Sequence, residues 1–459
     1  MTKLQKGITL YGLTMVAIGS CIASGIFVVP GQVARDLFHP GWILAIWTVG
    51  GVIALTGALT FAELGGLFPK AGGVYVFLKE GYSEVVGFLY GWVYLLVVNT
   101  GALAALGLAL AEYLTYFIPL SGNGKVVLAT TVVVGLTAMN MLGIKLGQLF
   151  INIFTSLKLI AIAAIVVAGM AYFLFTPAEN ATNFSAFQTP DNLIGALLLA
   201  LIGVFWSFGG WHHASYLAGE TINAKRNVPR AMIIGTLVVT VTYLLVNLAY
   251  MFLLPLGDIA TSERVAGEAV STLVPFGGKL VAVVISISIF GSIGIYTMTA
   301  PRIYFAMARD KIFFEKLAYI HPKYKTPVYA MALQAFWATV LLWFWGTFEN
   351  LIIYVTFMDL MFMMMAGASI FIFRRKLADE PRPYKTNGYP IVPAIYVLVT
   401  MAFVISTFVQ RPTQAIAGII VAAAGLLVYT YFKRKNKNSQ AWEDNVIDQP
   451  ISDYLDDEV

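Results

Sequence analysis

The chain has 459 residues, of which 59% are hydrophobic and 12% charged, with a mean hydropathy of +0.79 and a formal net charge of +5. Soluble domains carry about 25% charged residues, and half that proportion cannot cover a water-facing surface, so lipid must solvate most of the exterior. The basic excess is scattered over many short loops, which argues against a nucleic-acid partner.

At roughly 20 apolar residues per crossing, the sequence predicts twelve transmembrane helices. The first six fall near 8–30, 41–66, 84–118, 125–142, 148–173 and 192–219. The second six fall near 229–255, 271–306, 327–346, 348–374, 390–410 and 412–433. The run 8–30 ends without a small-residue cleavage site and reads as a span, not a signal peptide. A breaker-rich stretch, Gly66 to Gly73, separates the second and third spans. Residues 74–82 after it read as an amphipathic helix at the cytoplasmic face, and 309–319 as a second. Beyond residue 435 the chain turns polar and acidic (Glu443, Asp444, Asp448, Asp453, Asp456, Asp457, Glu458), which reads as a loosely ordered cytoplasmic tail over 436–459.

Charge sets the orientation. With both termini in the cytoplasm, only Arg35, Lys125, Arg264, Lys279 and Arg411 of the 29 Lys and Arg residues fall outside, and Lys158 lies within a span. That asymmetry follows the positive-inside rule and predicts a multi-pass protein of the cell's inner (plasma) membrane. The single cysteine, Cys21, excludes an internal disulfide. Four histidines and scattered acids give no metal-ligand spacing and no nucleophile–base arrangement, so neither a cofactor nor an enzyme is expected.

Two spans carry glycines in mid-membrane. The first reads Gly19-Ser20-Cys21-Ile22-Ala23-Ser24-Gly25-Ile26-Phe27, and the sixth Gly203-Val204-Phe205-Trp206-Ser207-Phe208-Gly209-Gly210-Trp211. A glycine costs a helix interior about 0.5–1 kcal/mol relative to alanine. Small residues can serve close helix packing alone. The two clusters, however, sit five helices apart, as an inverted repeat of two five-helix halves requires, and paired interruptions point to a midplane transport site. A broken helix offers bare N–H groups at one end and bare carbonyls at the other. The first favour a carboxylate and the second an ammonium group, which together match an α-amino acid.

Lys158 lies about ten residues into the fifth span, roughly 15 Å from its start and near the bilayer midplane. An uncompensated lysine there costs about 2.5–3.5 kcal/mol on insertion scales, so a functional role is expected over a purely structural bond to a carbonyl. Glu63 reads as a partner for a loop base, and Glu112 as an interfacial acid. Asp359, deep in the tenth span, reads as a hydrogen-bonded structural acid or a proton site. His212 and His213 read as cavity-wall residues that could add pH sensitivity.

These landmarks carry a family likeness. The stretch from Glu63 to Lys79 resembles the second-helix and loop signature of the amino acid–polyamine–organocation superfamily, and Ser24-Gly25-Ile26-Phe27 resembles its first-helix motif. The run Trp206 to Trp211 with Gly219-Glu220 and Lys225 to Arg230 resembles its sixth helix and following loop. Pro301-Arg302, His321-Pro322 and Thr326-Pro327 resemble later landmarks. Within the superfamily the chain is most similar to the L-type amino acid transporter family, bacterial serine/threonine and alanine/serine/cysteine exchangers especially.

The resemblance implies an all-α, leucine-transporter-type fold in one domain, 1–435. Its inverted repeats would span about 8–173 and 192–374, followed by two extra helices over about 390–433. It implies sodium-independent exchange by alternating access. The substrate carboxylate would meet N–H groups around Ala23, Ser24 and Gly25 and the Ser24 hydroxyl, within a site that also includes Ile26 and Ser207. The amino group would meet carbonyls of Cys21, Trp206 and Gly209. Trp206 would lid the substrate from outside, and Ser20 would line the pocket. Lys158 would stand where sodium-coupled cousins hold a cation, with Tyr243 nearby. The family usually has a glycine where this chain has Ala23.

Gly209-Gly210 leaves space in the site, Trp206, Phe208 and Cys21 crowd it, and neither break contains an acid. The expected partners are therefore the lipid bilayer and small neutral L-amino acids such as alanine, serine, threonine and cysteine, with no obligatory disulfide-linked subunit. Proton-coupled uptake remains the alternative to exchange.

Overall fold

The computed structural model describes residues 4–176, 184, 189–344 and 348–437. The expected acidic tail therefore lies, from residue 438 onward, outside the described residues. Within them the chain is helical, and the only strand-like pairing is an isolated parallel bridge between Ile8 and Thr221.

Helix α1 (Leu10–Cys21) is started by Thr9, whose hydroxyl accepts from the Gly12 N–H, as a polar N-cap should. It stops at Cys21, and α2 (Gly25–Leu37) resumes at an angle of 43°. Then follow α3 (Pro40–Leu67), α4 (Val74–Gly81), α5 (Glu84–Val93), a π-helical turn (Tyr94–Val98), α6 (Asn99–Leu114), α7 (Gly122–Met141) and α8 (Ile144–Phe175). The second half contains α9 (Leu193–Ser207), the single turn α10 (His213–Tyr216), α11 (Ala224–Leu253), α12 (Leu256–Thr261), α13 (Val265–Ser271), α14 (Gly277–Thr299) and α15 (Pro301–Arg309). The last four are α16 (Val328–Phe344), α17 (Phe348–Lys376), α18 (Ile391–Gln410) and α19 (Pro412–Lys437).

Among the described residues nine helices are long and apolar enough to cross a membrane, and ten if the bent pair α1–α2 is one span. Two shorter apolar helices, α9 and α16, stand where the sixth and ninth crossings are expected. The π turn interrupts the expected third span. It is accompanied by a Thr100 hydroxyl that donates to the Leu95 carbonyl five residues back.

Two expectations about interfacial helices meet different outcomes. Helix α4 forms, but it buries Val74, Tyr75, Val76, Phe77, Leu78 and Gly81 against α5 and α17 and is wedged into the protein. No amphipathic helix forms over 309–319. Helix α15 ends at Arg309, Lys311 adopts φ +63°, and only a 3-10 turn, Glu315–Ala318, follows. A left-handed residue at that point cannot continue a right-handed helix.

The middle of the molecule is built on α1. It lies against α8 and α11, α11 is pressed along α3, and α14 packs on α6, α7 and α8. Small residues permit these approaches: a Cβ on Gly235 would stand 2.7 Å from the Ala17 Cβ, and one on Gly169 2.8 Å from that of Ala249.

Candidate functional site

The first helix is interrupted over residues 22–24, and the sixth unwinds after Ser207 into turns that reach α10. The two interruptions touch. A Cβ on Gly25 would lie 2.8 Å from the Ser207 Oγ, and one on Gly210 2.7 Å from the Ser20 carbonyl carbon. Gly210 has φ +120°, so both its backbone and its lack of a side chain are required there. The Cys21 thiol donates to the Phe208 carbonyl at 3.5 Å. The Tyr243 hydroxyl of α11 lies 3.0 Å from the Cys21 carbonyl and 2.9 Å from the Ser207 carbonyl, so its proton is shared between the two breaks.

An account of the backbone groups shows what the site offers. The Ala23 N–H turns back to the Cys21 carbonyl at 3.0 Å, and the Phe27 N–H bonds to the Ser24 carbonyl at 3.1 Å. Between them, the N–H groups of Ser24, Gly25 and Ile26 have no acceptor among the described residues. They form the opening of α2, where the helix dipole is positive. The Ser24 hydroxyl makes no capping bond. Ala23, Ser24 and Gly25 are partly accessible while Cys21, Ile22 and Ile26 are buried. On the facing segment the Trp206 carbonyl accepts from the Gly209 N–H, and the Gly209 carbonyl accepts from no described donor. Donors for an anion and an acceptor for a cation therefore sit on adjoining chain ends.

Other residues expected at the site point elsewhere. Ser20 is buried and its hydroxyl donates to the Val16 carbonyl. Ser207 directs its hydroxyl to the Gly203 carbonyl. Phe208 packs between Trp47 and Tyr243. Trp206 is 40% exposed, in contrast with its buried neighbour Ser207.

Lys158 is buried in α8, and its ammonium group donates to the carbonyls of Gly19 at 2.9 Å and Ile22 at 2.8 Å and to the Ser292 hydroxyl at 2.8 Å. All three of its protons are used, and among the described residues no carboxylate pairs with it. Hydrogen bonds to a charged group contribute about 1.5–3 kcal/mol each, so three can offset the insertion cost of the buried charge. They also satisfy carbonyls that the break leaves bare. Ser288 completes the layer, its hydroxyl lying 3.1 Å from the Ile22 carbonyl and 3.2 Å from that of Ala23. Sequence reasoning did not single out Ser288 or Ser292. Their spacing of one turn inside an apolar helix was the available signal.

The remaining polar residues divide in two. Glu63 pairs with Arg374 at 2.7 Å and Arg382 at 3.1 Å and accepts the Thr386 N–H, as its expected structural role requires. Glu112 pairs with Lys125 near the helix end. His213 lies between Thr299, 2.7 Å from Nδ1, and Tyr94, 3.3 Å from Nε2, and stacks on Tyr296. His212 Nε2 and Asp359 Oδ1 are buried and have no hydrogen-bond partner among the described residues.

Comparison with known proteins completes the picture. Residues 8–430 match the family model described as amino acid permease. The chain is 33% identical to the serine/threonine exchanger SteT of Bacillus subtilis (strain 168) over 437 residues, covering 94% of this chain and 97% of the relative. It is 32% identical to the human large neutral amino acids transporter small subunit 2, covering 95% of this chain and 82% of that protein. Against the human b(0,+)-type amino acid transporter 1 the identity is 29%, covering 94% and 88%.

Proposed function

The chain belongs to the amino acid permease family, and we propose that it is a sodium-independent exchanger of small neutral L-amino acids, serine, threonine, alanine and cysteine among them, working by alternating access. The proposal includes twelve crossings arranged as two inverted five-helix repeats with two further helices, in one domain, and an inner-membrane location with both termini cytoplasmic. The basic loops favour that orientation.

The observation that carries the reading is the position of Lys158. Its ammonium group binds Gly19, Ile22 and Ser292, and so bridges the interrupted first helix to α14 where a cation-coupled carrier would hold its ion. A tethered cation makes a dissolved one unnecessary. The substrate carboxylate binds the N–H groups of Ser24, Gly25 and Ile26 and the Ser24 hydroxyl. The ammonium group binds the Gly209 carbonyl, with the carbonyls of Cys21 and Trp206 close to it. Trp206 closes over the substrate from outside. Tyr243 holds the two breaks in register. The serine/threonine exchanger among the relatives supports the substrate class.

Exchange is tested by counterflow in liposomes containing the purified protein. Labelled serine should accumulate only in vesicles preloaded with amino acid, equally in sodium and in choline buffers. Uptake that requires sodium would refute the role given to Lys158. A second reading, proton-coupled symport, is favoured by the buried Asp359 oxygen, which has no hydrogen-bond partner among the described residues. It predicts uptake into empty vesicles driven by an inward proton gradient.

A further inference from the structure

We propose that a second subsite for a zwitterionic amino acid lies outward of the helix breaks, between α2, α6, α13 and α14, with Arg264 and Glu268 as its charged pair. A cavity of about 210 Å³ opens there, its walls including Phe27, Tyr113, Tyr116, Arg264, Glu268 and Ile285. That volume is below the roughly 300–1,000 Å³ of pockets for drug-sized ligands and suits a smaller metabolite. The lining is largely apolar and aromatic with a few polar groups, the usual make-up of a small-molecule site.

The charges are arranged for a zwitterion. Arg264 is the N-cap of α13 and Glu268 lies four residues on, and both line the cavity. Both are exposed, and among the described residues neither forms an ion pair. The Arg264 guanidinium is held over the Tyr116 ring at 4.6 Å, which fixes it at the cavity wall while its donors stay available. A planar guanidinium suits a carboxylate, and the Glu268 carboxylate suits an ammonium group.

The cavity adjoins the first break. Phe27, in its floor, donates its N–H to the Ser24 carbonyl. Ile285, in its wall, precedes by one turn Ser288, whose hydroxyl reaches the Ala23 carbonyl. The cavity lining thus begins at the residue that follows Ile26, the last of the open donors. An amino acid held by Arg264 and Glu268 is loaded for transfer inward. This inference rests on the transport reading above, because it assigns the cavity the same substrate class.

The test uses intact cells expressing the full chain, so that labelled L-serine meets only the outer face. Arg264→Gln and Glu268→Gln should each raise the apparent KM for external serine roughly threefold to tenfold with the maximal rate retained, and the difference should shrink in high salt. Exchanging the charges, Arg264→Glu with Glu268→Arg, should restore part of the affinity, because a zwitterion can bind reversed. An unchanged KM in variants present at normal levels would overturn the subsite, as would a lower maximal rate with KM unaltered. Absence of serine exchange by the unaltered chain would instead overturn the transport reading, and the subsite with it.

Discussion

Tyr243 and Cys21 are joined across 222 positions of sequence by a hydrogen bond of 3.0 Å that ends at the last helical residue before the first break. The same hydroxyl reaches the last helical residue of α9, Ser207, at 2.9 Å. One phenol therefore ties together the two chain ends that hold the open donors and the open acceptor, and its geometry carries a direct consequence for transport.

Tyr243→Phe removes only the hydroxyl. The ring keeps its edge contact with Trp47 and its contact with Phe208, so the fold should be retained. The Ser207 carbonyl loses its partner, at a cost of about 1–3 kcal/mol for a buried group. The breaks are then less well registered, and serine counterflow should show an apparent KM raised about tenfold, with a thermal midpoint only a few degrees lower. Unaltered kinetics would show that the bridge has no part in the site.

Lys158→Ala removes the charged donor from the carbonyls of Gly19 and Ile22 and from the Ser292 hydroxyl, and leaves those carbonyls only the neutral hydroxyls of Ser288 and Ser292. Each charge-assisted bond lost contributed about 1.5–3 kcal/mol, and the first break keeps only the Ser288 and Ser292 hydroxyls as its tie to α14. Exchange should fall more than tenfold while purified protein remains monodisperse. In the unaltered chain, replacing sodium by choline should leave the rate unchanged. Full turnover by the variant would remove the role assigned to this lysine.

Gly210→Ala tests the close approach of the breaks. The position has φ +120°, a conformation that costs a residue with a Cβ about 1–3 kcal/mol. The new methyl group would also stand 2.7 Å from the Ser20 carbonyl. The segments must separate, and the donors of α2 and the Gly209 carbonyl no longer meet one substrate. Loss of serine binding should exceed the loss of thermal stability. Gly209→Ala, where the nearest foreign atom is the Trp206 carbonyl oxygen at 3.3 Å, should be milder.

What the sequence revealed, and what it hid, follows from the range of the forces involved. Interrupted helices are local: Gly19, Gly25, Gly209 and Gly210 weaken their own spans wherever the neighbours lie. A lysine in lipid is costly anywhere, so Lys158 declared itself before its partners were known. Ser292 did not, because a serine in an apolar helix ordinarily bonds back to its own preceding turn, as Ser286 does to the Ala282 carbonyl. Ser20 lies one turn from Ser24, and its hydroxyl does bond back in this way, to the Val16 carbonyl. Just beyond the end of α15, the Asp310 carboxylate accepts from the Tyr75 hydroxyl at 2.6 Å and from Lys79 at 2.9 Å, contacts more than 200 residues distant that no local pattern announces.

The most deeply paired charges among the described residues are of the same hidden kind. Arg302 and Glu220 are each 1% exposed, with Nε to Oε2 at 2.7 Å and a second bond from Nη2 to Oε1 at 2.9 Å. The Glu220 carbonyl also accepts from the N–H groups of Gly7 and Ile8, so one residue joins the segment before α1, the turn after α10 and the start of α15. Removing one partner leaves a buried charge uncompensated, at about 3–5 kcal/mol. Glu220→Gln and Arg302→Met should each lower the thermal midpoint severely or abolish expression. Arg302→Lys should not rescue, since a lysine cannot make the paired bonds. The double variant Glu220→Leu with Arg302→Met should be more stable than Arg302→Met alone, because it buries no orphaned charge. If the single variants melt like the unaltered chain, the pair lies exposed in the native protein and does not fasten these three segments.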